Sequence, residues 1–184
     1  MSVPLLIGFT PLVIFCVLAR VSLNLALWVA FAASFSFGIR SFLDTGILRL
    51  LDAGGTVLFG LLALYAGFVA PGLELSWVGL VLEIGLLGLA AWSLAARKPF
   101  TLAYAGVPPE QWRTPPFLRA NYRLTCVWAA TFAVMAAADA QNLFLHTLAP
   151  NLAAGIGLAM LAGALIYTWQ SGVRIGRRFG KSPY

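Results

Sequence analysis

Apolar runs of bilayer-spanning length dominate this chain and leave it few ways to fold. Six can be drawn, at about residues 3–19, 24–39, 53–70, 75–96, 123–140 and 151–172. A helix crosses the hydrocarbon core with about 20 apolar residues, within a range of about 17–25. Only helices and closed barrels satisfy their own backbone N–H and C=O groups in lipid. The second run is short, so it borrows from Ser22 and Phe42 or sits in thinned bilayer. Hydrophobic residues make up 61% of the 184 and charged residues only 10%. An ordinary soluble domain carries about 25% charged residues, so this chain has too little polar surface to face water all round. The expectation is an all-α integral membrane protein, a single membrane domain over 1–184 with six transmembrane helices.

Short connections at 20–23, 71–74 and 141–150 alternate with longer charged ones at 40–52 and 97–122, so the spans pair as three hairpins. Placing both termini on one side puts eleven of the twelve Lys and Arg residues there and leaves Arg20 alone on the other. Cations in short loops stay cytoplasmic, so the N and C termini are expected in the cytoplasm. The opening MSVPLLIGFTPLVIF has no cation ahead of its apolar run and no small-residue cleavage pattern. It reads as a retained first span.

Several function classes lose their requirements. Cys16 and Cys126 both lie in apolar runs and read as small core hydrophobes, not as a disulfide or metal framework. With His146 the single histidine, no His-based metal site can be built within one chain. There is no HExxH, GxSxG, P-loop or CxxC, and the six acidic residues form no DxxxD cluster. No catalytic residues, metal, cofactor or nucleic-acid partner are expected, and the chain reads as non-enzymatic.

An ionisable residue inside a span is a functional hypothesis by default. Glu83 lies about 12 Å into the fourth span at about 1.5 Å per residue, with Ser76 and Gly79 on its face. A carboxylate there is protonated, paired or turned to a water-filled cavity. Arg20, from the same outer side, is the one cation able to reach it. The reading is either a proton-coupling or substrate-binding carboxylate, or a structural polar contact between spans. Asp139, Gln141, Asn142 and His146 gather at the outer end of the fifth span as a polar mouth with Glu74, or as ordinary helix-end solvation. Asn121, Thr125, Trp128, Phe132, Met135 and Asp139 recur at 4,3,4,3,4 spacing, one stripe along the fifth helix that lines a pathway or simply faces the bundle. Small residues form further stripes at Ala26/Ala30/Ala33, Gly60/Ala63/Gly67/Ala70 and Gly155/Ala159/Gly163, for packing within the chain or against a second copy.

Three stretches face the cytoplasm. Arg40–Asp52 reads as a short amphipathic surface helix, followed by a flexible Ala53–Gly54–Gly55. The segment 97–122, with double prolines at 108–109 and 115–116 against a long regular helix, reads as folded back on the membrane surface. There Arg97 and Lys98 meet lipid phosphates, and Phe100, Tyr104 and Trp112 sit in the headgroup layer. The basic tail 173–184 is attracted to anionic headgroups.

Within 97–135, RKPFTLAYA followed by VPPEQWRTPPFLRANYRLTCVW resembles the loop and fifth span of the intracellular septation protein A-like group of small bacterial membrane proteins. LDAGGTVLFG at 51–60 is similar to what precedes their third span. The resemblance implies a bacterial inner-membrane protein connected with envelope synthesis and division. It supplies no catalytic residues but marks Lys98, Pro99, Phe100, Tyr104, Trp112, Arg119, Asn121, Arg123 and Trp128. Two functions follow as expectations. One is a cell-envelope protein acting through lipids, other membrane proteins or a second copy, with Lys98, Phe100, Tyr104, Trp112, Arg119, Asn121, Arg123 and Trp128 as its cytoplasmic surface. The other is a small-solute or lipid transporter or channel built on Glu83, Arg20 and Asp139. A topology reporter fused at Gly72 is expected to read as external; a cytoplasmic reading contradicts the assigned orientation.

Overall fold

The computed structural model describes residues 7–104, 114–145 and 150–179, excepting the side chains of 150–151 and 172–179. Every element among them is helical. In order they are α1 (Thr10–Leu18), α2 (Leu23–Thr45), α3 (Leu50–Leu64), α4 (Leu75–Ala95), a 3-10 turn at Phe100–Tyr104, α5 (Pro115–Ala140) and α6 (Pro150–Phe179). Single π-helical turns, Tyr65–Val69 and Gln141–Leu145, extend α3 and α5. Five segments are long and apolar enough to cross a bilayer: Leu23–Thr45, Leu50–Val69, Leu75–Ala95, Pro115–Leu145 and Leu152–Ser171. They expose large side chains such as Val57, Phe68, Val81, Ile84 and Ile166, the surface expected of helices solvated by lipid. The first apolar run begins outside the described residues, and α1 itself has nine residues.

Chemistry at the helix ends explains most boundaries. The Ser22 hydroxyl accepts the Leu25 N–H at 3.4 Å and starts α2. The helix does not stop at residue 39 but runs on to Thr45, where Gly46 takes a left-handed φ of 66° and its N–H bonds the Phe42 carbonyl. The amphipathic surface helix expected over Arg40–Asp52 is therefore divided between the last turns of α2 and the first of α3. Its Arg40–Asp44 pair does form, at 3.8 Å on an exposed face. Ala53–Gly54–Gly55 is not a flexible lead-in but lies within α3, where Gly54 leaves room for Leu89 of α4. On α5, Pro115 and Pro116 begin the helix eight residues ahead of the expected start. Proline is tolerated in a first turn because those N–H groups have no intrahelical partner.

The expected hairpins describe the packing only coarsely. α4 against α5 and α2 against α3 make the most extensive contacts, across the two longer connections. The α5 stripe is a bundle face: Asn121, Thr125, Trp128, Phe132 and Met135 are all buried. Trp128 stacks on Phe9 with ring centroids 3.5 Å apart, and its Nε1–H donates to Thr168 Oγ1 at 3.1 Å. One indole thus joins α5, α6 and the start of the chain. Ala26, Ala30, Gly60 and Ala63 are buried between neighbouring helices, whereas Gly155, Ala159 and Gly163 of α6 face outward.

The polar segment after α4 differs most from expectation. Phe100, Thr101, Leu102 and Tyr104 are buried in the bundle and are not spread on its surface. Phe100 packs edge-on against Phe9 at 6.3 Å. The Thr101 hydroxyl reaches the Asn121 carbonyl and Thr125 Oγ1, each at 3.1 Å. The Tyr104 hydroxyl donates to Asp52 Oδ1 at 3.0 Å, and the Arg49 guanidinium lies 4.9 Å above its ring. Burial, with the Asp52 carboxylate beside it, holds the Tyr104 phenol well above its usual pKa, so it remains a donor. Tyr104→Phe removes that donor and leaves Asp52 buried without it. A loss of about 1–3 kcal/mol is expected in thermal unfolding of the purified protein, and an unchanged melting temperature contradicts the contact.

Candidate functional site

The end of the bundle where α1 and α5 finish and α4 begins holds a cavity of about 230 Å³. Four helices and a turn build it: Phe15 and Cys16 of α1, Arg20 just beyond it, Ser76, Gly79 and Glu83 of α4, Met135 and Asp139 of α5, and Ala153 and Gly157 of α6. Arg20, Glu83 and Asp139 come from three distant parts of the chain, and all three line this one space.

The local reasons are legible. On α4, Ser76, Gly79 and Glu83 follow the i, i+3, i+7 spacing of one face. On α5, Asp139 is the last member of the buried stripe, so the register that buries Trp128 also turns Asp139 toward α4. Gly79 makes the meeting possible, since a β-carbon there would collide with Asp139 Oδ2. Lower on the same face, Ser76 Oγ accepts from Asn142 Nδ2 at 3.0 Å and ties α4 to the π-helical turn. The small residues of α6, Ala153 and Gly157, leave the remaining wall open.

Glu83 is 6% exposed, and its Oε2 is buried with no hydrogen-bond partner among the described residues. Asp139 is half-buried and near enough for the two carboxylates to interact electrostatically. Among the described residues neither has a cation within 4.0 Å. Arg20 is exposed at the rim. Of the readings left open for Glu83, the cavity-facing one fits: Arg20, Glu83 and Asp139 share a cavity with one guanidinium at its edge and two carboxylates inside. Such a set accepts hydrogen bonds and positive charge from whatever enters. The polar mouth is only partly assembled: Asp139 and Asn142 take part, Glu74 and Gln141 are exposed, and His146 lies outside the described residues.

The cytoplasmic surface set divides. Lys98, Arg119 and Arg123 are exposed, with Arg119 Nε donating to the Pro115 carbonyl at 3.3 Å. Phe100, Tyr104, Asn121 and Trp128 are in the core and form no surface. Asn121 Nδ2 bonds the Phe117 carbonyl at 3.0 Å. Trp112 lies outside the described residues. Sequence reasoning missed the Asp52–Tyr104 bond and the part of Cys16 in the cavity wall. An acidic residue at the edge of an apolar run was the available signal for the first; nothing in the spacing pointed to the second.

Comparison of the chain with known protein families, with curated proteins and with solved structures returns no match.

The Gly79–Asp139 approach makes a coupling prediction. Gly79→Ala is expected to destabilise the protein by about 1–3 kcal/mol through overpacking. In an Asp139→Ala background the same change becomes neutral or stabilising, because alanine is the better helix former. Equal effects in both backgrounds, read by thermal unfolding, contradict the contact.

Proposed function

We propose that this chain is a small multi-pass carrier or channel whose Glu83 and Asp139 bind a cation or a small cationic solute. The observation that carries the reading is the convergence of Arg20, Glu83 and Asp139 on one cavity, with a buried Glu83 oxygen that no group among the described residues satisfies. A buried carboxylate oxygen without a donor is costly to maintain, and in a membrane span such a cost is characteristic of ion and substrate pathways. The space of about 230 Å³ suits a hydrated monovalent ion or a small ammonium, and falls below the roughly 300–1,000 Å³ of drug-sized sites. Arg20 at the rim disfavours bare cations that do not reach both carboxylates.

The reading extends to the setting. Six spans, both termini in the cytoplasm and a bacterial inner membrane are part of the proposal. The eleven-to-one cation division and the likeness of 97–135 to the septation protein A-like group support them. Envelope interaction through anionic lipid remains a second reading, supported by the exposed Lys98, Arg119 and Arg123.

Sodium, guanidinium and tetramethylammonium chlorides are the probes for a thermal-shift test at constant ionic strength. At least one is expected to raise the melting temperature of the wild type as a ligand of the folded state does. Glu83→Gln and Asp139→Asn, both folded, are expected to lose that gain. No shift with any cation, or equal shifts in the variants, contradicts the reading.

A further inference from the structure

The opposite end of α4 carries a second, independent feature. The chain leaves the helix through a tight reversal in which Arg97 N–H bonds the Leu94 carbonyl at 3.0 Å and Lys98 N–H bonds the Ser93 carbonyl at 3.0 Å. This is the paired-bond helix stop that ordinarily places glycine in the left-handed position. Here that position is Arg97, with φ 56°, the one non-glycine residue of positive φ among those described. At its other left-handed helix stop the chain does use glycine, Gly46. A β-carbon disfavours this conformation, so the arginine is held against backbone preference. Helix-end charge alone does not require it, since Lys98 next door supplies a cation without the strain.

Arg97 and Lys98 flank a cavity of about 620 Å³ whose walls include Leu50, Trp92, Phe100 and Leu118. The cavity lies where the span Leu75–Ala95 ends, at the depth of lipid headgroups. Trp92, at its side, is 69% exposed, as interfacial tryptophans are. Three carbonyls of the last α4 turn are engaged within the chain: Trp92, Ser93 and Leu94 accept the N–H groups of Ala96, Lys98 and Arg97.

We propose that this corner is a binding site for an anionic phospholipid, with its phosphate on Arg97 and Lys98 and its acyl chain along Trp92 and the leucines. A free phosphate would use the cations and leave the apolar walls uncovered; a lipid uses both.

The purified full-length chain is incubated with equal phosphatidylglycerol and phosphatidylcholine, and bound lipid is counted by native mass spectrometry. Wild type is expected to retain phosphatidylglycerol in preference. Arg97→Gly is expected to lower that retention about five-fold, and adding Lys98→Gln lowers it by about the same factor again. Arg97→Gly is also expected to melt at or above the wild-type temperature, because glycine suits the left-handed position. Arg40→Gln, at an exposed cation outside the cavity that pairs with Asp44, leaves retention unchanged, and inorganic phosphate at about the concentration of the lipid does not displace it. Full retention by Arg97→Gly, an equal loss with Arg40→Gln, or displacement by inorganic phosphate overturns the proposal.

Discussion

The Trp128 indole joins parts of the chain that are far apart in sequence. Apolar helices gain little by leaving lipid for one another, so their association depends on close packing and a few polar contacts. Trp128 supplies both. Its face lies 3.5 Å from Phe9, and its N–H reaches Thr168 on α6. Thr168 in turn donates to the Ala164 carbonyl within its own helix. With α1 and α6 drawn to the same level of α5, the register of the α5 stripe is set along its whole length. The outer end of that stripe is Asp139.

Both ends of the bundle bury polar groups. At the end that holds the 3-10 turn several have partners: Tyr104 with Asp52, Thr101 with Thr125 and the Asn121 carbonyl, Ser93 with the Ala90 carbonyl and the Phe100 N–H, while Ser41 Oγ and Asn121 Oδ1 have none among the described residues. Satisfied groups of this kind rigidify a structure. They turn a segment that looks like a polar linker into part of the core. At the opposite end Glu83 Oε2 has no hydrogen-bond partner among the described residues, and the two carboxylates share a space instead of a cation.

How much of this was legible in the sequence depends on the kind of signal. Apolar length located all five described spans, and helical spacing located the α5 face. Both depend on periodicity, which survives without knowledge of partners. The convergence of Arg20, Glu83 and Asp139 was partly legible, because rare charges at one depth have few places to go. The ends of helices were harder. α2 continues to Thr45 because Arg40, Ser41 and Asp44 are compatible with helix and only Gly46 stops it. α5 starts at Pro115 because proline, a breaker inside a helix, is an initiator at its first turn. The burial of Phe100 and Tyr104 was illegible, since interfacial and buried aromatics carry the same local sequence signal. Only the Asp52 and Phe9 contacts, distant in sequence, separate the two.

The central claim is that Glu83 and Asp139 face a hydrated space that attracts positive charge. Cys16 lines that space, and Cys126, on an exposed face of α5, can be removed as Cys126→Ser. The direct measurement is the rate at which Cys16 in that background reacts with cationic and anionic methanethiosulfonate reagents of similar size. Faster reaction with the cationic reagent is expected, with the preference falling in Glu83→Gln and Asp139→Asn. An unreactive Cys16, or equal rates for the two reagents, would contradict the account.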